Sequence, residues 1–311
     1  MRRRLLLSTI LLLTLSLYFV PTTQAQEVVT TVGELNDAVL ASQNCGNNEF
    51  SINLTAGIFL LTTPLSFINC HVILRGQGID QTVITAGGDY YYLSMVAGGT
   101  LEIHNLTIQN VGIDTEYYSL SAITIDNSSL IIESSKLDNL TTDSGGGAIV
   151  FNASTNHTLT INRSLFNNNN GITDAYHYGA GGGAIQTRGG LGVTGSNVII
   201  NCTRFDNNIA RWGGAIDHRA SIPMTITRSS FLNNITVAVG AGTDILSNSG
   251  LPIPAEHNWW DGLTPISETQ NPDYYNISAN VDADPALLQA NGEVDPTALY
   301  TPLITEQHHR S

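Results

Sequence analysis

The tightest grouping of chemically able side chains in the chain is Asp217-His218-Arg219, which directly follows a Gly-Gly-Ala-Ile element at Gly213–Ile216. The same element at Gly182–Ile185 is followed by Gln186-Thr187-Arg188, so an alignment of the two sets Arg188 beside Arg219. A carboxylate, an imidazole and two guanidiniums together have the chemistry to grip an acidic sugar. The competing reading is a solvated turn of stacked polar residues, and it is favoured because no second carboxylate aligns with Asp217. A second candidate is the segment around Asp174, Tyr176, His177 and Tyr178, whose aromatic rings suit contact with sugar or protein. His257 and the terminal His308-His309 pair have no companions at metal-ligand spacing, so no metal and no cofactor are expected.

The elements that must position these residues are visible as an internal repeat. Five ungapped segments align over ten residues: LEIHNLTIQN from Leu101, LIIESSKLDN from Leu130, LTINRSLFNN from Leu159, VIINCTRFDN from Val198 and MTITRSSFLN from Met224. Their first column is aliphatic or Met and their third is always Ile. The eighth column is Ile108, Leu137, Phe166, Phe205 and Phe231, and the tenth is Asn110, Asn139, Asn168, Asn207 and Asn233. Gly-Gly-Ala-Ile precedes three of the segments, at Gly146–Ile149, Gly182–Ile185 and Gly213–Ile216, with Ser121-Ala122-Ile123 as a worn copy.

Apolar residues two apart have the period of strands, and a unit too small to bury its own face must stack on its neighbours. Equivalent side chains then lie about 4.8 Å apart and form ladders. The pattern predicts an all-β, right-handed parallel β-helix, right-handed because parallel crossovers are. The invariant tenth-column Asn is read as a buried amide ladder, each donor meeting the acceptor above it. Insertions at Asn170–Gly181 and Thr187–Gly195 should protrude as loops. Thr31-Val32-Gly33-Glu34 has capping-box spacing, and Val32, Leu35, Ala38 and Val39 continue as a short amphipathic helix through Ser42 that lids the first coil. Phe59–Leu61, Val72–Leu74 and Val83–Ile84 read as the first strands, and Asn258-Trp259-Trp260-Asp261-Gly262 as the opposite cap.

Residues 1–25 read as a signal peptide: three arginines, the uncharged stretch Leu5–Val20, then small residues leading to cleavage after Ala25. Residues 26–290 form the β-helix with its caps, and 291–311 an irregular tail. After cleavage no transmembrane segment is expected, and the net charge of −14 becomes −17 without the leader arginines. That charge excludes nucleic-acid binding through a basic surface. Charged residues at 12% and 29 glycines exclude a long coiled coil. Export places Cys45 and Cys70, which flank the first coil, where a disulfide between them persists. Cys202 is left over, in the fifth column between Arg163 and Arg228 of neighbouring segments; this column is read as solvent-facing, and of two readings, activation of the thiol by the two arginines and an ordinary thiol beside arginines that turn into water, the second is favoured.

The Gly-Gly-Ala-Ile element coupled to Phe-x-Asn-Asn, as in Gly182–Ile185 with Phe205-Asp206-Asn207-Asn208, resembles the repeat of chlamydial polymorphic outer membrane proteins. The wider pattern is similar to pectin-lyase-like right-handed β-helix proteins of bacterial surfaces. Gly33–Ala41 with Ala56–Phe59 and Ile73–Gly76 resembles their N-terminal cap and first coils. Asn258–Gly262 and Asn280–Pro285 resemble their C-terminal closure. The resemblance implies an exported, non-catalytic protein for adhesion or interaction, secreted or at a bacterial cell surface, a monomer whose partner is a glycan or a surface protein. The alternative it implies is a polysaccharide lyase or hydrolase, which in this fold uses clustered carboxylates with calcium or a basic residue. The chlamydial proteins carry a C-terminal autotransporter barrel; the residues after Ala290 are too few for one, so self-translocation is not expected.

Overall fold

The computed structural model describes residues 25–46, 48–86, 93–96, 98–113, 121–142, 145–171, 181–190, 192–238, 241–260 and 277–283. Each coil contributes one strand to each of three parallel sheets. The first sheet has eight strands: Ala25–Val29, Glu49–Leu54, His71–Arg75, Thr100–His104, Ser129–Glu133, Thr158–Asn162, Asn197–Asn201 and Met224–Thr227. The second also has eight, among them Lys136–Asp138, Leu165–Asn167, Arg204–Asp206, Ser230–Leu232 and, at its end, Trp259–Trp260. The third has seven, including Ile123–Asp126, Ile149–Asn152, Ile185–Arg188, Ile216–His218 and Ile245–Ser247. The parallel β-helix read from the repeat is the fold.

The predicted apolar ladders form in register. Leu101, Leu130, Leu159, Val198 and Met224 are mutual partners, as are Ile103, Ile132, Ile161, Ile200 and Ile226, and all are buried. Ile108, Leu137, Phe166, Phe205 and Phe231 make the next ladder, which Trp260 extends. Its rings stack face to face, with centroids 5.1 Å apart for Phe166–Phe205, 5.0 Å for Phe205–Phe231 and 4.6 Å for Phe231–Trp260. The tryptophan pair thus closes the stack by continuing a core ladder with one of its rings.

The amide ladder is present, but one residue later than the repeat suggests. Asn110, Asn139, Asn168, Asn207 and Asn233 are exposed and lie in the left-handed region at φ between 50° and 54°. Asn is favoured there because it tolerates that conformation better than other residues with a side chain. Asn139 Nδ2 does donate to Asn110 Oδ1 at 2.7 Å, on the surface. The buried amides are the next column. Asn169 Nδ2 donates to Asn208 Oδ1 at 2.9 Å, Asn208 Nδ2 to Asn234 Oδ1 at 3.0 Å, and Asn234 Nδ2 to Asp244 Oδ1 at 2.9 Å. Backbone N–H groups feed the same oxygens: Leu140 to Asn169, Asn169 to Asn208 and Asn208 to Asn234, at 3.1–3.2 Å.

The fifth column is likewise a left-handed corner, occupied by Asn105, Ser134, Arg163, Cys202 and Arg228. Cys202 is half-buried and its Sγ lies 3.6 Å from Asn201 Oδ1. The Arg163 guanidinium is ion-paired with Glu133 rather than turned toward the thiol, against the activation alternative.

The glycine pair before Ala-Ile answers two close approaches. At Gly182 φ is +71°, and a Cβ would sit 1.9 Å from the Ile185 carbonyl oxygen of its own coil. At Gly183 a Cβ would sit 2.3 Å from the Gly214 carbonyl oxygen of the next. One glycine makes the bend and the other admits the neighbouring backbone.

The lid is the expected helix, Val32–Ser42. Thr31 Oγ1 accepts from the Glu34 N–H at 3.2 Å, and Glu34 Oε2 accepts from the Thr31 N–H at 3.1 Å. Leu35, Ala38, Val39 and Ser42 face the open end of the first coil. The Cys45–Cys70 disulfide is formed and fastens the end of this lid to the coil. Among the described residues no helix is long and apolar enough to cross a membrane.

Two stability measurements follow. Asn208→Leu strands the Asn169 N–H and its amide, and should cost about 2 kcal/mol or more in denaturant unfolding. Asn207→Gly, at the left-handed corner, should be near neutral; the reverse order would return the ladder to the tenth column. Replacing both Cys45 and Cys70 by Ser opens a loop with a sequence separation of 25 residues and should cost about 3 kcal/mol.

Candidate functional site

Along a strand, alternate side chains leave opposite faces of the sheet. In the third sheet the Ile column and the column two residues later, Phe151, Thr187 and His218, share one face, which the Ile core marks as the interior. Gln186 with Asp217, and Arg188 with Arg219, share the outer face. Asp217 and His218 are adjacent in sequence and therefore point away from each other.

His218 does not join the Asp-Arg group expected from the sequence. It is fully buried, with Nε2 3.1 Å from the Ile222 carbonyl and Nδ1 2.6 Å from Thr187 Oγ1. A carbonyl only accepts, so Nε2 carries the proton and Nδ1 accepts from the threonine hydroxyl. Burial pushes this imidazole down to about 4, against the opposing bond to Ile222. It is a neutral, structural histidine.

Asp217 also differs from the expected solvated turn: it is a fully buried strand residue on the outer face. Its Oδ2 receives the Gln186 amide at 2.9 Å and lies 2.7 Å from Arg219 Nε. Arg188 Nε donates to Gln186 Oε1 at 2.6 Å, which completes a chain Arg188–Gln186–Asp217–Arg219. The Arg219 N–H binds the Thr187 carbonyl at 3.1 Å, which fixes the two arginines side by side as aligned. Below them the outer column continues through Asn152 to Asp126, which are hydrogen-bonded to each other. Burial pushes the Asp217 carboxyl up to about 6, although Arg219, Gln186 and Arg188 all favour its charged form. Burial, and then the like charge of Arg219, lower Arg188 from its ordinary value.

Gln186 and Gly181 are the members that sequence reasoning missed. A Cβ on Gly181 would fall 1.8 Å from Asp217 Oδ2, so this position must be glycine for the carboxylate to sit where it does. Tyr176, Tyr178, Asp174 and His177 lie outside the described residues, as do residues 1–24 of the leader and the tail from residue 291.

A second cluster, on the outer face of the first sheet, was also missed. Glu102 accepts from His71 Nε2 at 2.7 Å and pairs with His104 Nε2 at 2.8 Å, with Glu49 4.0 Å from His71. Burial opposes ionisation of Glu102, but the bonds from His104 and His71 outweigh it and lower its carboxyl. The register sets His71 beside Thr100 and Ile73 beside Glu102, so the His71–Glu102 bond runs diagonally to a residue two along the next strand, which pairing columns in the sequence does not show. Among the described residues no group of three or more His, Cys, Asp or Glu is placed to hold a metal ion.

No protein-family model matches the chain, and no curated protein matches it in sequence. Among solved structures, it is similar to the PL6 family alginate lyase AlyGC in a variant form, at 12% identity and a TM-score of 0.37, covering 77% of this chain and 39% of that one. The same enzyme unmodified gives 11% identity and a TM-score of 0.34. ORF18 of Geobacillus virus E2 matches at 11% and 0.34, over 75% of this chain and 57% of its own. The chain spans about two-fifths of the lyase's length. Likeness at this level transfers none of that enzyme's site to these residues.

Asp217 and His218 titrate with opposite effects on stability. Asp217, raised from 3.8 to about 6, contributes stability that is fully present below about pH 4 and lost as pH rises through about 6. His218, lowered from 6.5 to about 4, contributes stability that is present above about 6.5 and lost as pH falls through about 4. Each shift corresponds to about 3 kcal/mol, so the two nearly cancel across this range. Asp217→Asn removes only the first. Relative to the parent, its unfolding free energy should rise by about 3 kcal/mol between pH 4 and pH 7; a difference independent of pH would contradict the assignment.

Proposed function

We propose that this protein is an exported, non-catalytic β-helix that serves attachment or interaction at a bacterial surface, in the manner of the chlamydial repeat proteins its motifs resemble. The observation that carries this reading is the fate of the two residues most able to do acid–base chemistry. His218 is turned into the core with both ring nitrogens engaged, and Asp217 is fully buried beside Arg219. What the outer face offers to a ligand is the part-exposed guanidinium of Arg219, a recognition group. The Cys45–Cys70 disulfide fits an oxidising compartment, and the leader-like segment supplies the route there.

A second reading, a polysaccharide-active enzyme, is favoured by one feature. A carboxyl held at about 6 beside two guanidiniums is in the range where proton transfer is efficient at neutral pH. The two readings separate when the protein without its leader is incubated with a panel of acidic and neutral glycans, scored for retention and for chain shortening. Retention with no shortening is expected. Shortening that disappears in Asp217→Asn would make the protein an enzyme.

A further inference from the structure

We propose that the Cys45–Cys70 disulfide is a redox latch: a dithiol reductant releases the lid helix Val32–Ser42, and the first coil thus bared pairs with the first coil of a second copy of this chain. The inference goes beyond the attachment role and does not depend on it.

The latch follows from how lightly the lid is otherwise held. It lies against all three strands of the first coil, Glu49–Leu54, Gly57–Leu61 and Leu65–Ile68. Its buried apolar residues are Leu35, Ala38 and Val39. Gln43 Nε2 donates to the Ser66 carbonyl at 3.1 Å and Thr63 Oγ1 to Asn36 Oδ1 at 3.3 Å, both in exposed positions where water competes. A helix of 11 residues is marginal on its own. The covalent tie sits three residues past its end, so breaking the tie lowers the cost of local opening. Cys45 is half-buried whereas Cys70 is 3% exposed, so an incoming thiolate reaches the Cys45 sulfur. A mixed disulfide forms there, and Cys70 leaves and takes up a proton. The reductant's second thiolate then displaces Cys45, which is protonated in turn. The protein gains two electrons and two thiols, and the reductant is oxidised to its own disulfide.

The partner follows from what the lid covers. Beneath it the inward residues of the first coil, Ile52, Leu54, Phe59, Leu61, Leu65 and Phe67, are all buried. Gly57–Leu61 and Leu65–Ile68 are the end strands of the second and third sheets, and bared strand edges seek other edges. Further along the stack, such a cross-section of the core is covered by another coil. A second copy supplies the same cross-section and the same edges, and two identical patches close on each other as a dimer. The rim is already apolar. Of the eight large hydrophobic residues exposed among the described residues, five lie at this end: Val28, Leu40, Ile58, Leu60 and Ile68. In the latched state the lid sets exposed Glu34 and Asp37 over the end, and on a chain of net charge −14 like copies repel there. Opening carries both carboxylates away with the helix.

The test uses the full chain with Cys202→Ser, which leaves the latch cysteines alone, with and without dithiothreitol. On reduction, hydrogen exchange should quicken tenfold or more at the amides of residues 38–42 and stay unchanged at Leu165 and Arg204. Sedimentation should show a monomer when oxidised and a dimer when reduced, reverting on reoxidation. Ile58→Asp, on the rim, should keep the faster lid exchange and weaken the dimer tenfold or more. Lid amides equally protected in both states overturn the latch, and so does reduction that quickens Leu165 and Arg204 as much as the lid. A reduced protein that opens its lid yet stays monomeric, or assembles without limit, overturns the pairing.

Discussion

At the corners of the middle and later coils, both between the first and second sheets and after the second, the direction in which the backbone hydrogen bonds run between coils reverses, and the rest of the structure depends on how that reversal is satisfied. Before the first corner the N–H points to the next coil: Ser134 to Asn162, Arg163 to Asn201, Cys202 to Thr227. Two residues later it points to the previous coil: Lys136 to Leu106, Leu165 to Ser135, Arg204 to Ser164. The N–H between them has no carbonyl in either direction, and a buried orphan of this kind is expensive. At several of these corners a side chain of the next coil fills the gap. Ser164 Oγ accepts from the Ser135 N–H at 3.3 Å, Ser229 Oγ from Thr203 at 3.1 Å, and Asn258 Oδ1 from Ser229 at 2.7 Å. The second corner repeats the device with Asn169, Asn208 and Asn234. Both ladders need an end, and Asn258 and Asp244 provide it.

This requirement explains what could be read from the sequence and what could not. The L-x-I columns, the Phe ladder, the Gly-Gly pair and the capping box each follow from a local rule with a fixed period, and they land where the rules put them. The invariant Asn of the tenth column was visible for a different reason from the one first assigned: it makes the left-handed corner. The column that carries the buried bonds holds Val111 and Leu140 in the early coils and Asn169, Asn208 and Asn234 in the later ones, so its variation hid its role. Asn doublets such as Asn168-Asn169 and Asn207-Asn208 encode both tasks at once, a corner and an amide that feeds the next coil. The first coil shows the opposite case: Glu49–Leu54 pairs like the other strands but lacks the repeat's consensus, and it was passed over.

The site depends on the same stacking. Strict register sets Gln186 beside Asp217 and Arg188 beside Arg219, so a group assembled from two coils is as rigid as the backbone that carries it. Period-two alternation then divides Asp217-His218-Arg219 between the two faces of the sheet. The sequence shows three chemically able residues in a row; the pleat sends the imidazole to the core and leaves the carboxylate and guanidinium outside. Spacing along the chain could suggest that Arg188 meets Arg219. It could not suggest that Gly181 closes on Asp217, because that contact runs through an insertion rather than through the ladder.

In the later coils, side chains of one coil satisfy the orphaned corner amides of the coil before it. Hydrogen exchange at the Leu140, Asn169 and Asn208 amides tests this most directly, since each donates to an Asn side-chain oxygen. The account predicts that these three exchange only through global unfolding, as slowly as the strand amides of Leu165 and Arg204. Exchange at the rate of freely opening turns, while the strand amides stay protected, would contradict it.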